Sequence, residues 1–117
     1  MIAQRLPDEA LSPRQIRQHL HLSRERMGRL LDVSAKTIER WETLGSLPAS
    51  ERLRVQLARI QEVIRLGLTV YTPDGFALFL ATPMPVFGNR TAIQLMEQGS
   101  IDQVFGALAE DYEGLGF

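Results

Sequence analysis

Residues 22 to 45 read LSRERMGRLLDVSAKTIERWETLG. Ser23 and Ser34 each stand before a run with apolar residues three and four apart, the pattern of an N-cap opening an amphipathic helix. The first run turns Met27, Leu30 and Leu31 inward, the second turns Ile38 and Trp41 inward, and a turn around Asp32 and Val33 lies between. Gly28 falls where the two helices cross, so a side chain there would hold them apart. Asp32 falls at the tight turn, where a positive φ is often needed, and Asp tolerates one better than most residues. Helix, short turn and helix make a helix-turn-helix, a motif that offers its second helix to a DNA major groove. With Ile38 and Trp41 inward, rotation of about 100° per residue sets Ala35, Lys36, Glu39 and Arg40 on the outer side. Lys36 and Arg40 are the candidates for base edges. Glu39 and Glu42 are unfavourable beside DNA unless paired, and Glu42 is expected to bridge to an arginine of an earlier helix.

Helix signals continue on both sides of this stretch. Ser12, Pro13 and Gln15 read as an N-cap, a first-turn proline and a capping box, with Ile16 and Leu20 on one face. Gly45 to Pro48 breaks the chain. A long helix follows over 50–66, with Leu53, Leu57, Ile60 and Ile64 in one stripe and Val63 and Leu66 in a second. Apolar on more than one face, it is expected to pack on both halves of the protein or on a second copy of itself. LTVYTP, from Leu68 to Pro73, reads as a connector with some strand character that ends in a cap at Thr72-Pro73. DGFALFLAT then leads to an irregular loop, TPMPVFGN, beyond which Thr91 with Gln94 and Ser100 with Gln103 form two more capping boxes. These open helices of about eight and eleven residues, the first ended by Gly99, before a short acidic tail, EDYEGLGF. Phe76, Phe79, Leu80, Phe87 and Phe105 read as core. The pattern predicts an all-α fold in three parts: an arm over 1–11, the helix-turn-helix with its long helix over 12–66, and a small helical unit over 67–117.

With 44% hydrophobic residues and a formal net charge of −1, the 117 residues suit a compact globular protein and exclude a disordered chain or a large enzyme barrel. There is no cysteine, so no disulfide framework or thiolate metal site is available, and two histidines, His19 and His21, are too few for zinc. No metal or cofactor is expected. The longest apolar run, Phe76 to Ala81, is far short of the roughly 20 residues a membrane helix needs, and the first ten residues lack a signal-peptide core. A cytoplasmic location is the expectation. The small net charge hides an asymmetry: residues 1–66 hold 12 basic and 8 acidic residues, whereas residues 67–117 hold Arg90 against six acids. A basic half suits a polyanion and an acidic half suits a different partner.

The run LSRERMGRLLDVSAKTIERWE, with Val33, Ser34, Thr37, Ile38, Trp41 and Glu42 in register, resembles the Xre family of Cro/cI-like repressor domains. The resemblance implies base contacts from Ala35, Lys36 and Arg40, and phosphate contacts from Arg24, Ser34 and Thr37, of the kind that fix register without reading sequence. Asp32 replaces the glycine common at that turn. Ala35 offers only a methyl group, which leaves specificity to Lys36 and Arg40. The acidic half, through TPMPVFGNRTAIQLMEQGSIDQVFGAL, is similar to the toxin-binding domain that follows the Xre domain in antitoxins of the Xre–RES type, including ParS and MbcA relatives. Thr82, Pro83, Pro85, Gly88, Arg90, Thr91 and Leu95 match that pattern, while Met84, Asn89 and Ala92 replace its usual Asn, Gly and Pro.

What the two resemblances imply, in this order along one chain, is a non-enzymatic antitoxin. It would neutralise a RES-domain toxin that degrades NAD and repress their shared operon by binding operator DNA as a homodimer. The toxin-occluding segment would be Glu110, Asp111, Tyr112, Glu113, Gly114, Leu115, Gly116 and Phe117, acidic groups that could satisfy the cations of a pyrophosphate-binding cleft. The alternative is a stand-alone repressor whose second half only mediates dimerisation. An enzyme working from Asp102, Glu110, Asp111 and Glu113 finds no His or Cys beside them, and neither histidine forms a triad with Ser23 and Asp32.

Overall fold

A computed structural model describes residues 10–46 and 48–115. The expected all-α fold is present: α1 (Pro13–Leu20), α2 (Arg24–Leu31), α3 (Ala35–Leu44), α4 (Glu51–Val70), α5 (Pro73–Ala81), α6 (Ala92–Glu97) and α7 (Ile101–Gly114), with one 3₁₀ turn at Pro85–Phe87. Most of the expected caps form. The Ser12 box closes in both directions, as does the Thr91 box, and Ser23, Ser34, Ser50 and Thr72 each accept a hydrogen bond from a backbone N–H three residues on. Ser100 is different. Its N–H donates to the Leu95 carbonyl at 2.8 Å to close α6 behind Gly99 (φ +83°), and this leaves Ser100 outside the extended conformation a side-chain cap requires.

Both turn expectations around α2 hold. Asp32 has φ +58°, and its N–H closes α2 on the Gly28 carbonyl. A Cβ on Gly28 would stand 2.6 Å from the Val33 carbonyl oxygen, so only glycine lets the turn fold back onto α2.

The helix over 50–66 was expected to stop at Gly67, and it does not. α4 continues to Val70, with Gly67 and Leu68 both buried. Gly67 is a contact point: a Cβ there would lie 2.2 Å from the Phe76 ring, so α5 seats its phenylalanine where α4 has no side chain. The connector shrinks to Tyr71 and Thr72, and Tyr71 caps α4 from an extended backbone by donating its N–H to the Gly67 carbonyl at 2.8 Å. One hydrophobic cluster takes buried residues from both sides of Gly67, with α4 packed against α1 and α7, α1 against α5, and α2 against α6. Phe76, Phe79, Leu80 and Phe87 are core, and Tyr71, Phe76, Phe79 and Phe87 meet in a chain of ring contacts 5.6 to 6.3 Å apart. Phe105, expected in the core, is 41% exposed.

Gly67→Ala is expected to lower stability by about 1–3 kcal/mol through overpacking against Phe76. Gly106→Ala, at a helical position in α7 where a Cβ meets nothing within 4 Å, should raise it by about 0.5–1 kcal/mol. Urea denaturation of the two variants beside the parent checks both signs.

Candidate functional site

The outer face of α3 is held in place from beneath. Ile38 and Trp41 are buried, and Glu42 on the inner side has a fully covered carboxylate that serves two helices at once. Arg17 of α1 grips it with two hydrogen bonds, Nε to Oε2 at 2.6 Å and Nη2 to Oε1 at 2.9 Å, and Arg24 of α2 adds two more at 3.1 and 3.2 Å. Arg14 stands 3.5 Å away at the rim. The hydrogen bond from Arg17 holds the Glu42 carboxyl below the ordinary carboxylate range despite its burial, and the same contact raises Arg17. The expected bridge from Glu42 to an earlier helix is therefore a bridge to two.

Above this hub, Ser34 and Thr37 share a 2.9 Å hydrogen bond at the start of α3, Ala35 is half-exposed, and Lys36 and Arg40 are exposed. Lys36, Glu39, Arg40, Thr43 and Leu44 line one shallow open surface. Thr43 and Leu44 were not singled out from the sequence, although they follow Lys36 by seven and eight positions on the same helix face. Arg24 is committed more deeply than a surface phosphate contact needs. Its Nε and Nη2 serve Glu42, and Nη1 lies 3.6 Å from Glu39 at the edge of the outer face.

The second set of candidate residues lies on α7. The last helix was expected to be about eleven residues long with a tail beyond it, but Glu110, Asp111, Tyr112, Glu113 and Gly114 are helical and Leu115 is the C-cap. Gly116 and Phe117 lie outside the described residues. The helix extends because Leu108 is fully buried and Asp111 accepts a 2.8 Å hydrogen bond from the Tyr71 hydroxyl at the end of α4. Burial, followed by this carboxylate, pushes Tyr71 up to about 12, so its hydroxyl keeps the proton it donates. Glu110, Asp111 and Glu113 are exposed, Tyr112 is half-buried, and the C-terminal turn presents three acids without a cation among them.

Polar links tie the two sets together: Arg26 of α2 to Glu97 of α6 at 3.3 Å, and Arg59 of α4 to Asp102 of α7. Arg90, the one cation of residues 67–117, hydrogen-bonds the Phe87 carbonyl and Gln98 and so braces the loop before α6. Among the described residues no group of three or more His, Cys, Asp and Glu side chains could hold a metal ion, and no helix is long and apolar enough to cross a membrane.

The described residues thus form seven α-helices, with a helix-turn-helix and an acidic last helix built on one long helix. A solved structure of the same fold is one chain of the M. tuberculosis MbcT-MbcA toxin-antitoxin complex, with a TM-score of 0.70 over 93% of this chain and 97% of that chain, at 20% identity. No family model matches the sequence, and no curated protein matches it.

Glu42→Gln is expected to lower stability at neutral pH by about 2–3 kcal/mol, because Arg17 and Arg24 lose their shared countercharge. A carboxylate with a depressed folded pKa contributes stability that is present above its ordinary value of 4.5 and is lost as pH falls through the depressed one. Urea titrations from pH 3 to 7 should therefore show a shallower acid loss in the variant than in the parent. An identical acid limb in both would contradict the role of Glu42.

Proposed function

We propose that the protein is a non-enzymatic antitoxin that also represses transcription. It would bind operator DNA through α3 and a RES-domain, NAD-degrading toxin through its acidic C-terminal region. The observation that carries this reading is the joint occurrence, on one fold, of an exposed Lys36 and Arg40 above a covered ion-pair hub and an acidic final turn on α7. The match along nearly the whole of a chain from a toxin-antitoxin complex supports the same reading.

On the DNA side, Lys36 and Arg40 supply long donors suited to guanine O6 and N7, and Ala35 offers a methyl group to thymine. Ser34 and Thr37 present hydroxyls to phosphate at the start of α3, where the unpaired backbone N–H groups also favour an anion. Arg24 would add a phosphate contact through Nη1 by giving up its pair with Glu39. One recognition helix reads too few base pairs for specificity, so the operator-bound form is a homodimer on two half-sites. On the toxin side, Glu110, Asp111 and Glu113 would meet the basic groups with which a cleft holds a dinucleotide pyrophosphate, and Tyr112, Leu115 and Phe117 would fill apolar space beside them. The site of action is the cytoplasm.

Coexpression with the product of the adjacent gene tests the reading, with growth as the readout. The parent chain should rescue growth, and removal of 110–117 should abolish the rescue while leaving DNA binding intact. Unchanged rescue would move the inhibitory surface elsewhere. Lys36→Ala with Arg40→Ala should remove specific operator binding and keep the rescue; retained sequence preference would overturn the assignment of α3. Operator affinity of the parent should fall by about 10³-fold or more between 50 and 200 mM salt if six or more phosphates are contacted, and a flat response would rule the phosphate contacts out.

A further inference from the structure

α4 is buried on one side through Leu53, Leu57, Ile60 and Ile64, and its opposite side is open. Rotation of about 100° per residue gathers Arg52, Val55, Arg59 and Glu62 into an arc of about 80° on that open side. All four are exposed, Val55 by 53%. Their spacing of three, four and three residues is that of a seam between two helices packed along their length. Beside the seam runs a furrow of two depressions, about 230 and 220 Å³, that share Arg59 and Ile101 and end at the exposed ring of Phe105. Among the described residues neither Arg52 nor Glu62 takes part in an ion pair.

We propose that this face is the docking surface for a second copy of the chain, with two α4 helices antiparallel across a two-fold axis level with residue 57. Such an axis relates position 52 to 62 and position 55 to 59. Each Arg52 then faces the partner's Glu62, twice by symmetry, and each Arg59 lays its aliphatic stem on the partner's Val55. A parallel pairing would set Arg52 against Arg52 and Glu62 against Glu62, so the charges select the antiparallel one. They also select the occupant. A polyanion is drawn to Arg52 and turned away by Glu62, and an acidic or basic protein surface meets the same conflict, whereas the stripe complements itself. The inference rests on the homodimeric reading above and assigns it a surface.

Sedimentation equilibrium of the full chain, with neither DNA nor toxin present, tests the surface apart from the proposed function. The parent should show a concentration-dependent dimer. R52E and E62R should each raise its dissociation constant at least about tenfold, since each places like charges at both symmetric contacts. An equimolar mixture of R52E and E62R should dimerise again, as should the double variant R52E/E62R, because every contact regains opposite signs. Both positions are solvent-exposed, and circular dichroism should match the parent. A parent that stays monomeric, a dimer indifferent to either reversal, or a mixture and double variant that both stay monomeric would overturn the proposal. Operator binding or toxin rescue that fails while the dimer behaves as stated would overturn the proposed function and leave this surface standing.

Discussion

The arrangement of the first three helices turns on one carboxylate. Glu42 sits on the inner side of α3, fully covered, between Arg17 of α1 and Arg24 of α2. A covered charge is tolerable only when it is paired and hydrogen-bonded, and here two guanidinium groups donate four hydrogen bonds, three to Oε1 and one to Oε2. Because each guanidinium is a rigid fork, the contact fixes angle as well as distance between helices. The apolar residues beneath α3, Ile38 and Trp41, would tolerate a rolling helix; Glu42 does not. The pitch at which Lys36 and Arg40 face outward follows from it.

A second constraint joins this unit to the rest. α4 runs unbroken past the point where the charge of the sequence changes sign, and α5 returns against it with the Phe76 ring set on Gly67. Packing of that closeness has no slack, since a methyl group added at Gly67 collides with the ring. The Arg26 to Glu97 and Arg59 to Asp102 pairs cross between the same two parts and orient α6 and α7 over α2 and α4. The basic and acidic halves of the sequence are therefore faces of one packed body.

What could be read from the sequence was local. Ser12, Ser23, Ser34 and Thr91 announce helix starts because a cap is satisfied within four residues, and Asp32 and Gly28 announce their turn for the same reason. Asn89 belongs with them: its φ of +63° explains why Asn can stand where the resembling family has glycine. What escaped depended on partners outside the helix turn being read. Gly67 looks like a stop until Phe76 arrives to occupy its missing side chain. Ser100 looks like a cap until its backbone is claimed by the end of α6. The length of α7 was hidden because Tyr71, forty positions earlier, holds Asp111. Of the candidate site, the outer positions of α3 followed from helical phase alone, while the dual commitment of Arg24 required knowing which side of α2 faces Glu42.

The unbroken passage of α4 bears on how the protein can be dismantled. A protease needs an exposed, locally unfolded segment, and Gly67 and Leu68, where the charge reverses, are buried in the last turn of α4. Cutting there requires melting α4, which strips cover from the core on both sides. Clearance of the molecule should proceed as loss of the whole, with no stable half left to retain one of its surfaces.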